Sequence, residues 1–255
     1  MPLTLTPLAG LPLIAPGDDL ASAIAAAMPK NGLTLDHGDI LVVGQKIVSK
    51  AEGRMVNLLD VRPRDRAYRM AKTTQKDPRL IELVLQESKR ILRARAGTLI
   101  VQHRLGFVCA NAGIDHSNVA GPAKGGDEFV LLLPVDPDRS AANLRARLES
   151  SSGQRLGVII NDSHGRPWRL GTVGSCIGVS GLPPLVDARG WTDLLGYRLQ
   201  STVVGVADEL AAAGSLVMGQ AAEGTPVVHV RGFPYPLREG SLQELIRPAA
   251  QDLFR

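Results

Sequence analysis

The sequence predicts a mixed α+β fold with largely antiparallel sheets and packed helices. Several strand candidates follow one another with no helix between them, which excludes a doubly wound parallel sheet. Six separate segments carry helical apolar spacing. The apolar supply is ample, 44% hydrophobic with only 4% aromatic, so Ala, Val, Leu and Ile build the core. The 255 residues suffice for a single domain. Two lobes dividing near 134–152 are the expected subdivision.

The first strand is expected at 3–7, followed by a helix over 18–28. An apolar run predicts a buried strand over 39–48. Helices follow at 63–72 and 78–93, the second opened by Asp77 as N-cap with Pro78 in its first turn. Strands are expected at 98–103, 107–110 and 128–133, then a helix over 137–150. The runs at 155–161 and 171–179 read as strands. A short strand at 200–203, a helix at 204–217, a strand at 226–231 and a helix at 241–251 complete the chain.

Charge and cysteine content narrow the class. The net charge is +4, but residues 62–95 hold 11 Lys or Arg against 4 Asp or Glu. That excess suits steering of a polyanion, yet only Tyr68 offers a base-stacking ring, so solvated helix faces explain most of it. No apolar stretch approaches a membrane span, and Pro2, Pro7 and Pro12 interrupt an N-terminus without the charge of a signal peptide. Cys109 and Cys176 sit in strand-like runs and form no disulfide framework or zinc spacing. A reducing cytoplasm is the expected location.

Four polar constellations interrupt the apolar runs. Asp162-Ser163-His164-Gly165-Arg166-Pro167-Trp168-Arg169 follows the run 156–160. A carboxylate beside a hydroxyl suits Mg²⁺ or Mn²⁺, and Arg166 and Arg169 can clamp phosphate or carboxylate. A charged hairpin turn explains the same letters. Asn111-Ala112-Gly113-Ile114-Asp115-His116-Ser117-Asn118 offers a second carboxylate and amides that can meet phosphate or base; a helix cap is the alternative. Lys46 and Lys50 sit near the end of the strand that begins at 39, and Gly121 to Asp127, with Lys124, form a loop able to contact an anion. Met218-Gly219-Gln220-Ala221-Ala222-Glu223-Gly224-Thr225 follows the helix 204–217, and its side-chain oxygens can complete a cation's shell. No segment carries the P-loop spacing. His37, His103, His116, His164 and His229 share no ligand spacing.

Taken together, these segments resemble the coenzyme F-420:L-glutamate ligase family over nearly the whole chain and in the family's order. The resemblance rests on Gly10-Leu11-Pro12-Leu13-Ile14, Val48-Ser49-Lys50-Ala51-Glu52-Gly53-Arg54, Ala110-Asn111-Ala112-Gly113-Ile114-Asp115, Asp162-Ser163 with Gly165-Arg166-Pro167-Trp168-Arg169, Ala207-Asp208-Glu209-Leu210-Ala211 and Met218-Gly219-Gln220. It implies a GTP-dependent ligase that adds L-glutamate to the coenzyme precursor through an acyl phosphate. Two divalent ions (Mg²⁺ or Mn²⁺) and K⁺ assist, in an intertwined homodimer.

The resemblance also implies roles for residues. Asp115 and Asp162 match the first metal site, Ser163 and Gln220 the second. Leu11, Pro12, Leu13, Ile14, Gln45, Lys46, Lys50, Asn118 and the segment Met218, Gly219, Gln220, Ala221, Ala222, Glu223, Gly224, Thr225 match the GTP contacts. His116 and Gln220 depart from the family's usual acids. A ligase for a different carboxylic acid is the nearest rival, and a basic nucleic-acid-binding protein a more distant one. Neither nucleic acid nor membrane is an expected partner.

Overall fold

In chain order, the strands are β1 (Thr4–Pro7), β2 (Ile40–Gly44), β3 (Met55–Asn57), β4 (Ser88–Arg95), β5 (Thr98–His103), β6 (Val108–Ala110), β7 (Phe129–Leu131), β8 (Gly157–Arg166), β9 (Arg169–Ser180), β10 (Val186–Asp187), β11 (Val203–Val204) and β12 (Val227–Arg231). The helices are α1 (Leu20–Ala27), α2 (Gln45–Ala51), α3 (Asp65–Thr74), α4 (Pro78–Gln86), α5 (Pro137–Ser152) and α6 (Val206–Met218). This computed structural model describes residues 2–119 and 128–253, so the loop from Gly121 to Asp127 with its Lys124 lies outside the described residues.

A five-stranded sheet in the order β1-β12-β2-β8-β9 forms the centre, with β2–β8 parallel and the other pairs antiparallel. Away from the register shifts in the β8–β9 ladder, its strands alternate between the two faces. Leu41, Val43, Val158, Ile160 and Val227 face the cluster shared with residues of α1, α2 and α5. Ile40, Val42, Ile159, Val228 and Val230 face α6 on the other side. Two glycines in β9 admit the helices. A Cβ on Gly178 would lie 2.5 Å from the Pro137 backbone, and one on Gly174 2.3 Å from the Ala211 carbonyl. A bulge at this end of the β8–β9 ladder lets one strand face both helices. A second core joins α3 and α4 to the antiparallel sheet β4-β5-β6. Phe107 packs against both cores.

The mixed, largely antiparallel architecture is as the sequence predicts, but five elements differ. Of the strand expected at 200–203, only Val203 is strand, in the two-residue β11. The strand expected over 39–48 ends at Gly44, and α2 begins at once with Gln45, so Lys46 and Lys50 stand on a helix. The helix expected over 78–93 ends at Gln86, and Ser88–Arg95 forms β4. Asp77 does cap α4, accepting the Arg79 N–H. The helix expected over 241–251 is two single 3₁₀ turns, Leu242–Glu244 and Ala249–Gln251, separated by Pro248. The strand expected at 155–161 continues to Arg166, so the whole polar octapeptide belongs to a hairpin with β9.

Candidate active site

The parallel pair β2–β8 sets the site. Gly44 stands opposite Asn161, so the start of α2 and the polar half of β8 emerge side by side. Asp162 and His164 lie on one face of β8, Asn161 and Ser163 on the other. The loop from 111 to 118 comes to the first face because Asp115 bridges to Leu131 through two backbone hydrogen bonds of 3.0 and 2.9 Å. Gly113 is required in that loop. Its φ is +66°, and a Cβ there would sit 2.8 Å from a Leu133 methyl.

Asp115 is the centre of the first group. Its Oδ2 accepts from Gln45 Nε2 at 2.6 Å, and its Oδ1 lies 3.7 Å from Lys46 Nζ. Gln45 is itself oriented by Ser49 Oγ, which donates to Oε1 at 2.9 Å. Lys46 donates to the Ser117 hydroxyl at 2.9 Å and to the Ser117 carbonyl. Burial, then the neighbouring Asp162 carboxylate, pushes Asp115 up to about 6 against the opposing pull of Lys46 and Gln45. Burial and then the same Asp162 charge push the Cys109 thiol up to about 12, so this cysteine is an inert wall. One turn on from Lys46, burial and then the charge of Lys46 hold Lys50 below its ordinary value.

The second group lies toward α6. Ser163 Oγ donates to Gln220 Oε1 at 3.0 Å, and Gln220 Nε2 donates to Ser215 Oγ at 2.9 Å. The loop that follows α6 is tightly wound. Gly219 has φ +79° and packs directly on the Glu223 side chain. Glu223 Oε2 accepts the Ala221 N–H at 2.8 Å. Backbone N–H groups, its own first and then that of Ala221, hold the Glu223 carboxyl below the usual range. These amides therefore converge on the Glu223 carboxylate, the loop's own anion. Thr225 Oγ1 donates to the Met218 carbonyl at 3.1 Å, and Met218 Sδ crowds Gly44. Asn118 joins the two groups by donating from Nδ2 to the Ala221 carbonyl at 2.9 Å.

The other expected residues are placed less centrally. Ile14 is buried and Leu11 partly buried in the cluster that includes Ile47 and Val48 of α2, while Leu13 is exposed. The loop holding Pro12 is tied to α2 where Gly17 N–H meets the Ala51 carbonyl at 2.8 Å. Arg166 and Arg169 pair across the hairpin tip, which turns through Pro167 and Trp168, the latter with φ +65°. Arg166 is four residues from Asp162, about 13 Å along the strand. Asp208 of α6 accepts the Cys176 N–H at 2.9 Å and so fastens α6 to β9.

An oxygen-rich donor set suits a hard dication. Among the described residues no group of three or more His, Cys, Asp or Glu converges as a metal cage. Two repelling carboxylates instead match Mg²⁺-type sites, which take one or two carboxylates and fill the rest with phosphate oxygens and water. Ser163 and Gln220 supply neutral oxygens, a weaker set. The sequence reading passed over His164, whose Nε2 lies 2.9 Å from Asp162 Oδ2. Its i+2 spacing from Asp162 in a strand was the available signal.

The sequence pattern described as F420-0:gamma-glutamyl ligase matches residues 10–232 of this chain. Among curated relatives, the coenzyme F420:L-glutamate ligase of Methanothermobacter thermautotrophicus is 46% identical over 257 residues, covering 100% of both chains. That of Methanopyrus kandleri is 46% identical over 246 residues, 95% of this chain and 93% of the relative. That of Archaeoglobus fulgidus is 42% identical over 249 residues, 98% of this chain and 95% of the relative. A match of this length spans every element that shapes the site, from the loop before α1 through β12: the chain belongs to the F420-0:gamma-glutamyl ligase family.

Proposed function

We propose that this protein ligates L-glutamate to the unglutamylated coenzyme F420 precursor, and then to γ-carboxylates already added, at the expense of GTP. The observation that carries this reading is the convergence of Asp115 and Asp162 beside Gln45 and Lys46, one hydrogen-bonded step, through Asn118, from the loop at 218–225. The precursor carboxylate attacks the γ-phosphorus of GTP, and GDP leaves. The glutamate amine then attacks the acyl carbon, releasing phosphate and a proton and leaving an amide. Divalent ions, Mg²⁺ or Mn²⁺, neutralise phosphate charge and align the transferring group when bound.

The chain's own residues do the rest. Asp115 and Asp162 hold the first ion, with Gln45 and Lys46 fixing the orientation of Asp115. Ser163 and Gln220 hold the second. Lys46 and Lys50, one helical turn apart on α2, face phosphate as two cations whose mutual repulsion an anion relieves. Asn118 and the amides from Met218 to Thr225 cradle the nucleotide, and Leu11 to Ile14 line it from beyond α2. Arg166 and Arg169 serve a substrate anion from the hairpin tip. Trp168 and Leu170 of that tip, and separately Trp191, Leu194 and Leu195, are exposed apolar side chains available to a second copy in a homodimer. None of the described helices is long and apolar enough to cross a membrane.

The test is mass spectrometry of purified protein with the unglutamylated precursor, L-glutamate, GTP and Mn²⁺. A product heavier by one or more glutamyl residues, formed with GDP, is expected. GDP release without that product would transfer the reading to another carboxylic acid, and silence from folded protein would end it. A second expectation concerns pH. Asp115 must lose its proton to bind an ion, and in the ion-free protein it titrates at about 6. Mn²⁺ affinity should be flat above that value and roughly tenfold weaker for the next unit below it. Calorimetric Mn²⁺ titrations between pH 5 and 7.5 check this; an affinity independent of pH removes Asp115 from the ion.

A further inference from the structure

Asp162 does not stand free. Its Oδ1 accepts the Ser163 backbone N–H at 2.8 Å, and its Oδ2 faces His164 Nε2 at 2.9 Å. An ionised carboxylate only accepts, so the ring nitrogen is the donor, as either the Nε2–H tautomer or the imidazolium. With one donor on each oxygen, rotation of the carboxylate is fixed and lone pairs remain on both atoms. The two side chains are 13% and 11% exposed, so water competes little for this bond.

The ring of His164 is itself fixed from behind. Phe107 lies against it at 5.1 Å between centroids, tilted by 47°. Phe107 is stacked in turn on the fully buried His103 ring at 5.2 Å and 6°. Because Phe107 belongs to both hydrophobic cores, its position is set by the packing of the two halves rather than by the loop it stands in. The chain of contacts therefore runs from the interior of the fold to a single oxygen of Asp162.

We propose that His164 is a positioning residue: held by Phe107, it presents the Asp162 carboxylate to the divalent ion in its binding orientation. The inference rests on Asp162 being an ion ligand and adds a residue that neither the sequence pattern nor the ligand set implies. A hydrogen-bond partner of this kind, one step outside the ion, typically contributes 10–100-fold to affinity. If His164 serves only to pack, another ring will serve equally well.

His164→Phe keeps a ring against Phe107 and removes the donor, whereas His164→Gln keeps an amide donor without the ring. The measurement is the Mn²⁺ dissociation constant of the full chain without nucleotide, from the electron paramagnetic resonance signal of free Mn²⁺. H164F is expected to bind about 10–100-fold more weakly than the parent, and H164Q within about threefold of it. Wild-type affinity in H164F, or equal loss in both variants, overturns the positioning role. Should H164F fail to fold, H164M, likewise without a donor, carries the same expectation and the same overturning result. Failure of the parent protein to bind Mn²⁺ would instead remove the ion site itself, a distinct outcome.

Discussion

Asp162→Ala is expected to abolish ligation while leaving the fold intact. On the proposed role of Asp162 as an ion ligand, the loss should reach at least about 10³-fold in kcat/KM, or roughly 4 kcal/mol of transition-state stabilisation, because Asp115 would be left as the one carboxylate of the pair. The backbone of Asp162 stays paired with Ser175 in the β8–β9 ladder whatever its side chain. Stability should hold for a further reason. Asp162 repels the Asp115 carboxylate, and that repulsion helps to hold Asp115 up at about 6. Removing one charge of the pair relieves the other, offsetting the lost hydrogen bond to His164.

Two measurements separate these effects. The melting temperature of D162A should equal or exceed that of the parent at pH 7.5, where both carboxylates are otherwise ionised. The Asp115 carboxyl, followed by carbon NMR, should titrate below its parent value, since burial remains but the like charge is gone. Activity retained at a normal Mn²⁺ optimum would remove Asp162 from the site. A large fall in melting temperature would make its role structural.

The polar constellations were legible in the sequence because each follows a stretch with an apolar pattern: β2 and the start of β8 in the central sheet, β6 of the three-stranded sheet, and α6. What the sequence hid is how they are delivered. Residues 45–51 continue the β-branched run of β2, with Ile47 and Val48, and read as more strand. The chain turns to helix at Gly44, and only as a helix does it bring Gln45 to Asp115 and Ser49 to Gln45. Pairing decided two other cases. Residues 88–95 have helix-forming side chains in helical spacing, but the partner strand β5 overrides that preference. Polar residues from Asp162 to Arg166 lack any strand pattern, yet the ladder with β9 carries them to the hairpin tip. The charged-turn reading of that octapeptide holds at its tip, where Arg166 and Arg169 pair across Pro167 and Trp168, while its base places Asp162 near Asp115. Histidine spacing failed for His164 because its partner is a carboxylate two residues away, a relation no metal motif encodes.

The largest stability effect is expected away from the site, at Glu87. This carboxylate closes α4 and accepts from Arg54 Nη2 at 3.1 Å and Arg104 Nε at 2.7 Å. Arg54 also donates from Nε to the Leu133 carbonyl at 2.9 Å, so Glu87 ties the end of α4 to the segment that leaves β7, whose Leu131 carries the Asp115 bridge. Burial favours the neutral acid, but the His103 ring facing it at 3.7 Å, with Arg104 and Arg54, outweighs that and holds the carboxyl at about 2. Glu87→Gln preserves shape and leaves two half-buried guanidinium groups without their counter-charge. Breaking such a pair from one side costs about 3 kcal/mol, or a melting temperature lower by roughly 10 °C at neutral pH.

The pH dependence has a definite sign. The ordinary carboxyl value for the unfolded chain is 4.5, and the folded value is about 2, so the folded state binds fewer protons between them. The stabilisation is complete above the upper value and disappears as pH falls toward the lower one. His103 acts in the same direction: burial lowers its pKa below 6.5, so the folded ring resists protonation and stability is lost as pH falls through that value. Urea unfolding of parent and E87Q at pH 7 and pH 3 tests the assignment. Both proteins should weaken in acid through His103, E87Q somewhat more because the Glu87 charge that favours the protonated ring is gone. Protonation of Glu87 in the parent narrows the gap between them by up to about 2 kcal/mol. A gap that stays constant would mean that Glu87 contributes shape and hydrogen bonds but no charge. The link from α4 to the segment after β7 would then rest on Arg54 and its carbonyl partner.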